Sequence, residues 1–430
     1  MKLRIMNGRL LDPANQQDKL ATVTVAAGRI VGIDSTADFQ ADMEIDAKGL
    51  TLVPGLIDLS VRLREPGNEH RATLESEMIA ALAGGVTSLV LPPDTEPSLD
   101  EPGLVEMLKH RARKMHQANL YPLGATTLGL KGEALTEMAE LTEAGCVAFS
   151  QANYGIPNLS ILNRAMLYAK TFDYTLWFQP SEPSLSSGGV AASGPFASRL
   201  GLAGVPVQAE TIALHALFEL QRSNQVRLHL CRLSSAEGIE LVRQAKARGL
   251  PVTCDVSINH LHLIDQDIGF FDSNYNLTPP LRSQRDREAI TQGLLDGTID
   301  AICSDHTPID DDDKLMPFAQ ADSGAVGVEL LFSLVYKWAL ENKVPVLDAL
   351  SKITVNPYLI LKAGAPALPP CGQLGVGAPA DIALIDLDEY WQVSRKNLLS
   401  QSSHTPFNQY EVPGRVMKTL VGGRLVWERE

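Results

Sequence analysis

The alternation of apolar and polar positions divides the chain into two kinds of text. Up to about residue 53, short apolar runs at 3–6, 8–10, 21–25, 28–33 and 43–45 are separated by polar turns, with Gly28 and Gly49 at two of them. Runs of that length bounded by turn residues predict β-strands. The same text returns at 372–377, 380–385 and 416–426. Neither end is long enough to bury a core alone, so the pattern predicts that both pair into one small β-sandwich, residues 1–53 plus 372–430.

Between them the period changes. Apolar stretches at 56–64, 86–91, 120–125, 146–151, 175–179, 227–233, 252–256 and 301–304 alternate with helical patterns at 73–83, 101–117, 134–144, 161–170, 209–222, 236–249 and 285–297. Repeated strand-then-helix units of this kind predict an α/β fold, a (β/α)8 TIM barrel over residues 54–371. Chemistry in such barrels sits at the C-terminal ends of the strands. The acidic run Asp310 to Asp313 reads as a solvated loop.

Composition narrows the function classes. A net charge of −14 leaves no basic surface for phosphate backbones, which argues against nucleic acid. No apolar run approaches the roughly 18 residues of a membrane span, and the N-terminus lacks a secretory pattern, so a cytoplasmic, membrane-free protein is expected. The five cysteines, Cys146, Cys231, Cys254, Cys303 and Cys371, show no C-x-x-C spacing. The first four lie in apolar runs and read as buried small hydrophobes.

At the first strand, PGLIDLSVRLREPG places Ser60, Arg62 and Arg64 on one face. This text, with NGRLLDP, AALAGGVTSLVLPPDT, SINHLHL, NYNLTPPLRSQRDREAI, AICSDHTPI, VGAPADIALIDL and GRVMKTLVGGRLV, resembles the dihydroorotases of the cyclic amidohydrolase superfamily over nearly the whole chain. The resemblance implies a barrel with a split β-domain. In active members it implies one or two zinc ions, held by a His-x-His pair on strand one, a carboxylate after strand four, and histidines after strands five and six, with an Asp after strand eight moving the proton.

Carried over position by position, that set is broken. Ser60 and Arg62 stand for the His pair, Gln151 for the carboxylate, Gln179 and Arg232 for the later histidines, and only Asp305 is kept. An arginine is permanently cationic and repels a dication, so Asp305 is expected to form an ion pair with Arg62 or Arg232. Arg64 stands where the family binds the substrate carboxylate, but Asp94 and Thr278 replace its asparagines, and Ile309 stands where a histidine is usual. Asp94 is expected to neutralise Arg64. Of the histidines, His70, His110 and His116 read as surface, His229 and neighbouring Trp177 as packing, His260 and His262 as packing or pocket lining, and His306 as a structural hydrogen-bonding group.

No catalytic, metal-binding or cofactor residue is therefore assigned, and no cofactor is expected. The sequence is similar to the non-catalytic dihydroorotase-like chains that accompany aspartate carbamoyltransferase in some bacteria. That resemblance implies a structural subunit of a hetero-oligomer with the transcarbamoylase catalytic chain, with self-association open. Two other readings stand beside it, a metal-free or altered-metal amidohydrolase and a small-anion-binding regulatory subunit using Arg62, Arg64 and Arg232.

Overall fold

The computed structural model describes residues 2–35 and 39–429. Eight barrel strands run parallel in sequence order: Leu56–Asp58, Val86–Leu91, Asn119–Pro122 continued by Gly124–Ala125, Phe149–Ser150, Thr175–Phe178, Arg227–Leu230, Val252–Ser257 and Ala301–Cys303. The ring closes at the mouth, where Val61 bridges His306. There Arg62 N donates to the His306 carbonyl at 2.9 Å and His306 N to the Ser60 carbonyl at 3.0 Å.

The first strand is shorter than its apolar run predicts. The Asp58 carboxylate accepts the backbone N–H groups of Ser60 (3.2 Å) and Ser304 (3.0 Å), which draws the chain across to the eighth strand instead of letting it run straight. Ser60 and Arg62 therefore lie on the segment that follows the strand, still directed at the mouth.

Helices Leu74–Ala83, Pro102–Met115, Met138–Ala144, Leu159–Thr171, Val207–Asn224, Ala236–Ala247 and Gln284–Leu295 pack outside the strands. Their starts are chemically marked. Thr73 and Ser76 form a capping box, and Ser235 accepts from Gly238 N at 3.0 Å, each satisfying an amide that lacks an intrahelical partner.

The two ends form one eight-stranded sheet. Its seam is Thr51–Pro54, which pairs parallel with Lys2–Asp12 and antiparallel with Ile382–Gln392. Leu3, Ile5, Val23, Ile30, Leu52 and Ile382 belong to an apolar core of this β-domain, separate from that of the barrel. The seam explains why neither terminus reads as a domain alone.

A strap runs through residues 393–410, between the last two long strands, and crosses the barrel. Ser400 Oγ donates to Glu77 Oε2 (2.6 Å), Ser402 Oγ to the Ile309 carbonyl (2.6 Å), and Val326 N to the His404 carbonyl (2.8 Å). The acidic run is more structured than a solvated loop. Asp310 caps the turn Asp311–Lys314, Arg71 pairs with Asp313 and with Asp322, and buried Lys314 donates from Nζ to the Ser273 carbonyl at 2.8 Å. Through Asp313, Arg71 holds the run against the barrel.

Candidate functional site: the barrel mouth

At the mouth, the ends of the first and sixth strands converge on a single carboxylate that follows the eighth. Asp305 Oδ1 accepts from Arg232 Nη1 at 2.9 Å, from Arg62 Nη1 at 3.4 Å and from Ser60 Oγ at 3.4 Å. The expected pairing with Arg62 or Arg232 is met by both. Asn153 Oδ1 accepts from both guanidiniums, at 2.6 Å from Arg232 Nη2 and 3.0 Å from Arg62 Nη2. Arg62 also donates to Thr307 Oγ1 (3.1 Å) and to Asp94 Oδ2 (2.8 Å). Arg62, Arg232 and Asp305 are all buried.

The backbone is shaped for this convergence. Ala152, Arg232 and Asp305 have φ of 50°, 54° and 53°, in the left-handed region, as does Arg64 at 60°. For residues other than glycine this conformation costs about 1–2 kcal/mol each, and the ion pairs and packing of the mouth hold it. At Ala152 the turn carries Asn153 inward while Gln151 points away. Gln151 Nε2 donates to Thr127 Oγ1 and to the Leu130 carbonyl, both at 2.8 Å. Gln179 stays on the cluster, its Oε1 accepting from Arg232 Nη2 at 3.4 Å, and the Thr278 carbonyl accepts from Arg232 Nη1 at 3.4 Å.

The expected pairing of Asp94 with Arg64 is corrected: Asp94 binds Arg62. Burial would raise the Asp94 carboxyl, but the charges of Arg62, then Arg64 and Arg232, hold it below the ordinary range. Arg64 turns away at its left-handed backbone and donates from Nε to the Pro308 carbonyl at 2.8 Å. Its Nη groups have no hydrogen-bond partner among the described residues. Burial, followed by the neighbouring charge of Arg62, pushes it down to about 10. Arg232 is also buried, yet Asp305 outweighs that cost and raises it.

A zinc ion of the kind the fold family implies does not fit these residues. Two guanidinium groups meet on the one retained carboxylate, and the other ligand positions offer a hydroxyl and neutral amides. At 4 Å and an effective dielectric of 20, a dication and one guanidinium repel by on the order of 8 kcal/mol. Among the described residues, the grouping of metal-capable side chains is His229, Cys231 and Asp255, one layer deeper in the barrel. There His229 Nε2 meets Asp255 Oδ2 at 2.9 Å, its Nδ1 meets Thr253 Oγ1 at 2.9 Å, and Asp255 Oδ1 accepts Arg232 N at 2.7 Å. Burial and then Asp255 keep the Cys231 thiol well above its ordinary range, so it stays protonated. The set is a hydrogen-bonded layer under the mouth.

The remaining predicted residues find structural places. The His229 ring lies 4.3 Å from that of buried Trp177. His260 bonds to Ser257 Oγ and the Pro280 carbonyl, and His262 to the Leu334 carbonyl; burial lowers both to about 4. His306 Nε2 donates to Glu77 Oε2 at 2.7 Å while its Nδ1 accepts from Gly327 N and Val328 N, which fixes the tautomer. Ile309 is buried beneath the strap, and four of the five cysteines are buried, with Cys231 intermediate. Sequence reasoning missed Asn153, Thr307, Glu77 and Asp255 as members of these networks. Asn153 carried a signal, since it stands two residues past Gln151 at a strand end.

Comparison with known proteins agrees with this frame. Residues 49–238 match the model of the dihydro-orotase-like family and residues 210–426 that of the amidohydrolase family. A dihydroorotase-like protein of Pseudomonas aeruginosa is 42% identical over 429 residues, covering 100% of both chains. One from Pseudomonas putida is 39% identical over 99% of both, and a dihydroorotase of Syntrophotalea carbinolica 37% identical over 99% of both. The solved L-hydantoinase from Arthrobacter aurescens superposes with a TM-score of 0.87, over 99% of this chain and 96% of its own, at 22% identity, a likeness of fold. No helix of the described residues is long and apolar enough to cross a membrane. The barrel, the terminal β-domain and the sequence relationships together make this chain a member of the dihydroorotase-like family of amidohydrolases.

Proposed function

We propose that this chain is a non-catalytic dihydroorotase-like protein that serves as a structural subunit for an aspartate carbamoyltransferase catalytic chain in pyrimidine biosynthesis, in the cytoplasm. The observation that carries the loss of chemistry is the sharing of Asp305 by Arg62 and Arg232. Hydrolysis in this family needs a metal-activated water and a carboxylate free to move its proton. Here the carboxylate is held by two permanent cations and the metal's place is cationic. The partner comes from the similarity of the sequence to dihydroorotase-like chains that accompany the transcarbamoylase. An intact fold beneath a dismantled mouth is what a scaffold retains.

The test has two parts. The purified protein is expected to hold well under one zinc per chain after dialysis and to turn over neither dihydroorotate nor carbamoyl aspartate above the uncatalysed rate. Removing the chain is expected to impair assembly or activity of the transcarbamoylase. Stoichiometric metal, turnover, or a transcarbamoylase indifferent to this chain's absence would each overturn the corresponding part. A second reading is favoured by Arg64, whose Nη groups have no partner among the described residues and suit a small carboxylate. On that reading, millimolar carbamoyl aspartate raises the melting temperature of the wild type and leaves Arg64→Gln unmoved.

A further inference from the structure

Two neighbouring segments on the mouth side of the barrel expose apolar side chains that the fold does not use. Phe270 is 90% exposed and Leu315 79%, with Phe271 and Met316 at 38% and 45%. The Phe270 and Phe271 rings meet edge to face at 5.3 Å, a rigid pair. The segments are fastened to each other, because Ser273 Oγ donates to the Lys314 carbonyl at 2.6 Å and Lys314 Nζ returns to the Ser273 carbonyl. Beneath them Ile268 and Phe318 share one small buried cluster with Phe196. Four large exposed apolar side chains on one braced platform are more than scattered surface residues, and such patches mark contact surfaces.

The rim around the platform is acidic. Asp265, Asp267, Asp272 and the run Asp310 to Asp313 flank the four apolar residues in the chain. Arginines answer two of these carboxylates, Asp311 and Asp313, while Asp265, Asp267, Asp272 and Asp312 have no ion-pair partner among the described residues, which leaves the rim acidic. Arg71 binds Asp313 and Asp322, Arg395 binds Asp311, Lys314 is turned inward, and Arg199 lies over the Phe196 ring. This decides against a second copy as occupant. A two-fold contact would set the same carboxylates face to face, on a chain that already carries −14.

We infer that the Phe270–Phe271–Leu315–Met316 platform is where this chain binds the transcarbamoylase catalytic chain, which presents to it an apolar pocket rimmed by Lys and Arg. The inference rests on the proposed structural role. An apolar centre inside a charged rim divides the work: the aromatic anchors supply most of the affinity, and the rim supplies approach rate and choice of partner.

The experiment is co-expression of the full-length chain with the transcarbamoylase catalytic chain, followed by native mass and titration of the purified components. The Phe270→Ser/Leu315→Ser double variant is expected to weaken the complex by about tenfold or more. The Gln266→Lys/Asp312→Lys variant, at two exposed rim positions, is expected to slow association several-fold and to reduce its salt dependence. Leu159→Ser/Leu167→Ser, on the exposed face of a barrel helix remote in sequence, is the control expected to bind as wild type. All substitutions are at exposed positions, and unchanged melting temperatures verify folding. If the wild type forms no complex, the structural role itself falls and this inference with it. If the wild type binds and both platform variants bind equally well, or if the control alone loses binding, only the platform assignment falls. Self-association of the wild type abolished by Phe270→Ser would overturn the choice of occupant.

Discussion

The mouth and the layer of acids around it are both largely buried and are held together by different means. Around the mouth, Asp58 holds Ser60 and Ser304, Asp255 holds His229 and the Arg232 amide, and Glu77 holds His306 and the strap. Glu210 takes the amides and hydroxyls of Ser234 and Ser235. Each acid there closes a backbone or hydroxyl donor that would otherwise be orphaned, so removing it opens the fold. At the mouth the acids answer cations instead. Arg62 and Arg232 fill space with charge that Asp305 and Asp94 neutralise, and Asn153 accepts a hydrogen bond from each. Order in the surrounding layer comes from matching each donor with an acceptor, and order at the mouth from balancing charge. A barrel mouth can therefore be held in shape by paired charges as well as by matched donors and acceptors, provided the charges are balanced within it.

The largest expected effect breaks that closure. Asp305→Ala leaves two buried guanidiniums facing one another and is expected to cost about 3–5 kcal/mol, read as a fall in the urea midpoint at unchanged slope. Replacing all four charges by apolar residues of similar size, Asp305→Leu and Asp94→Leu with Arg62→Met and Arg232→Met, is expected to recover most of that loss, since no buried charge is then left without its partner in the cluster. If the single variant is as stable as wild type, the mouth is not held by charge balance. If the quadruple variant is no better than the single, the cluster does more than neutralise itself.

In the surrounding layer, Glu77→Gln is expected to cost about 2–3 kcal/mol, because His306 and the strap lose a charge-assisted acceptor. Burial would raise Glu77, but His306 and the hydroxyls of Ser400 and Ser76 bring it below its ordinary value. With the folded pKa depressed, its contribution is present above the unfolded pKa, about 4.3, and is lost as pH falls through the lower folded value. The difference between wild type and variant should therefore shrink below pH 4, in denaturant titrations at successive pH values. A constant difference would place the effect in packing.

Glu329 gives the reverse sign. Burial outweighs the amides of Ser400 and Leu399 and raises it to about 8. The folded state then holds a proton that the unfolded state releases near pH 4.3, so stability falls as pH rises from about 5 to 8 and levels above that. The slope from this group is at most about 1.4 kcal/mol per pH unit. Glu329→Gln keeps an oxygen for Leu399 N and removes the slope. The wild type and variant curves should diverge toward pH 8 with the variant the more stable, and parallel curves would mean that Glu329 does not ionise across this range.

How much of this was legible in the sequence follows from what sequence encodes. Strand positions were legible because parallel barrel strands are continuous apolar runs, and Val86–Leu91 falls where its run predicts. The end of the first strand was not, because its stop is set by Asp58 reaching a serine 246 residues away. The identity of the mouth residues was legible from the broken ligand pattern, and so was the pairing of Asp305. Which cation Asp94 would meet was not, since that depends on the left-handed turn at Arg64, a backbone choice no local pattern announces. The strap was missed because residues 393–410 lack periodicity and make their bonds through Ser400, Ser402 and His404 to a helix and two loops distant in sequence.

The smallest expected effect is none, and it sharpens the comparison most. Returning the histidine pair to the first strand, Ser60→His with Arg62→His, should yield no dihydroorotase activity and no stoichiometric zinc. Metal affinity is shared by three or four ligands, and two histidines still face Arg232 on the retained carboxylate while Gln151 points at Thr127 and Leu130. Removing Arg62 also unpairs Asp94 and takes one of two donors from Asn153, so the double variant should be less stable than wild type as well as inactive. Zinc analysis after dialysis, paired with the hydrolysis assay, checks both. Activity in the double variant would mean that the remaining strands can complete a site, and that Arg232 moves aside when a dication arrives.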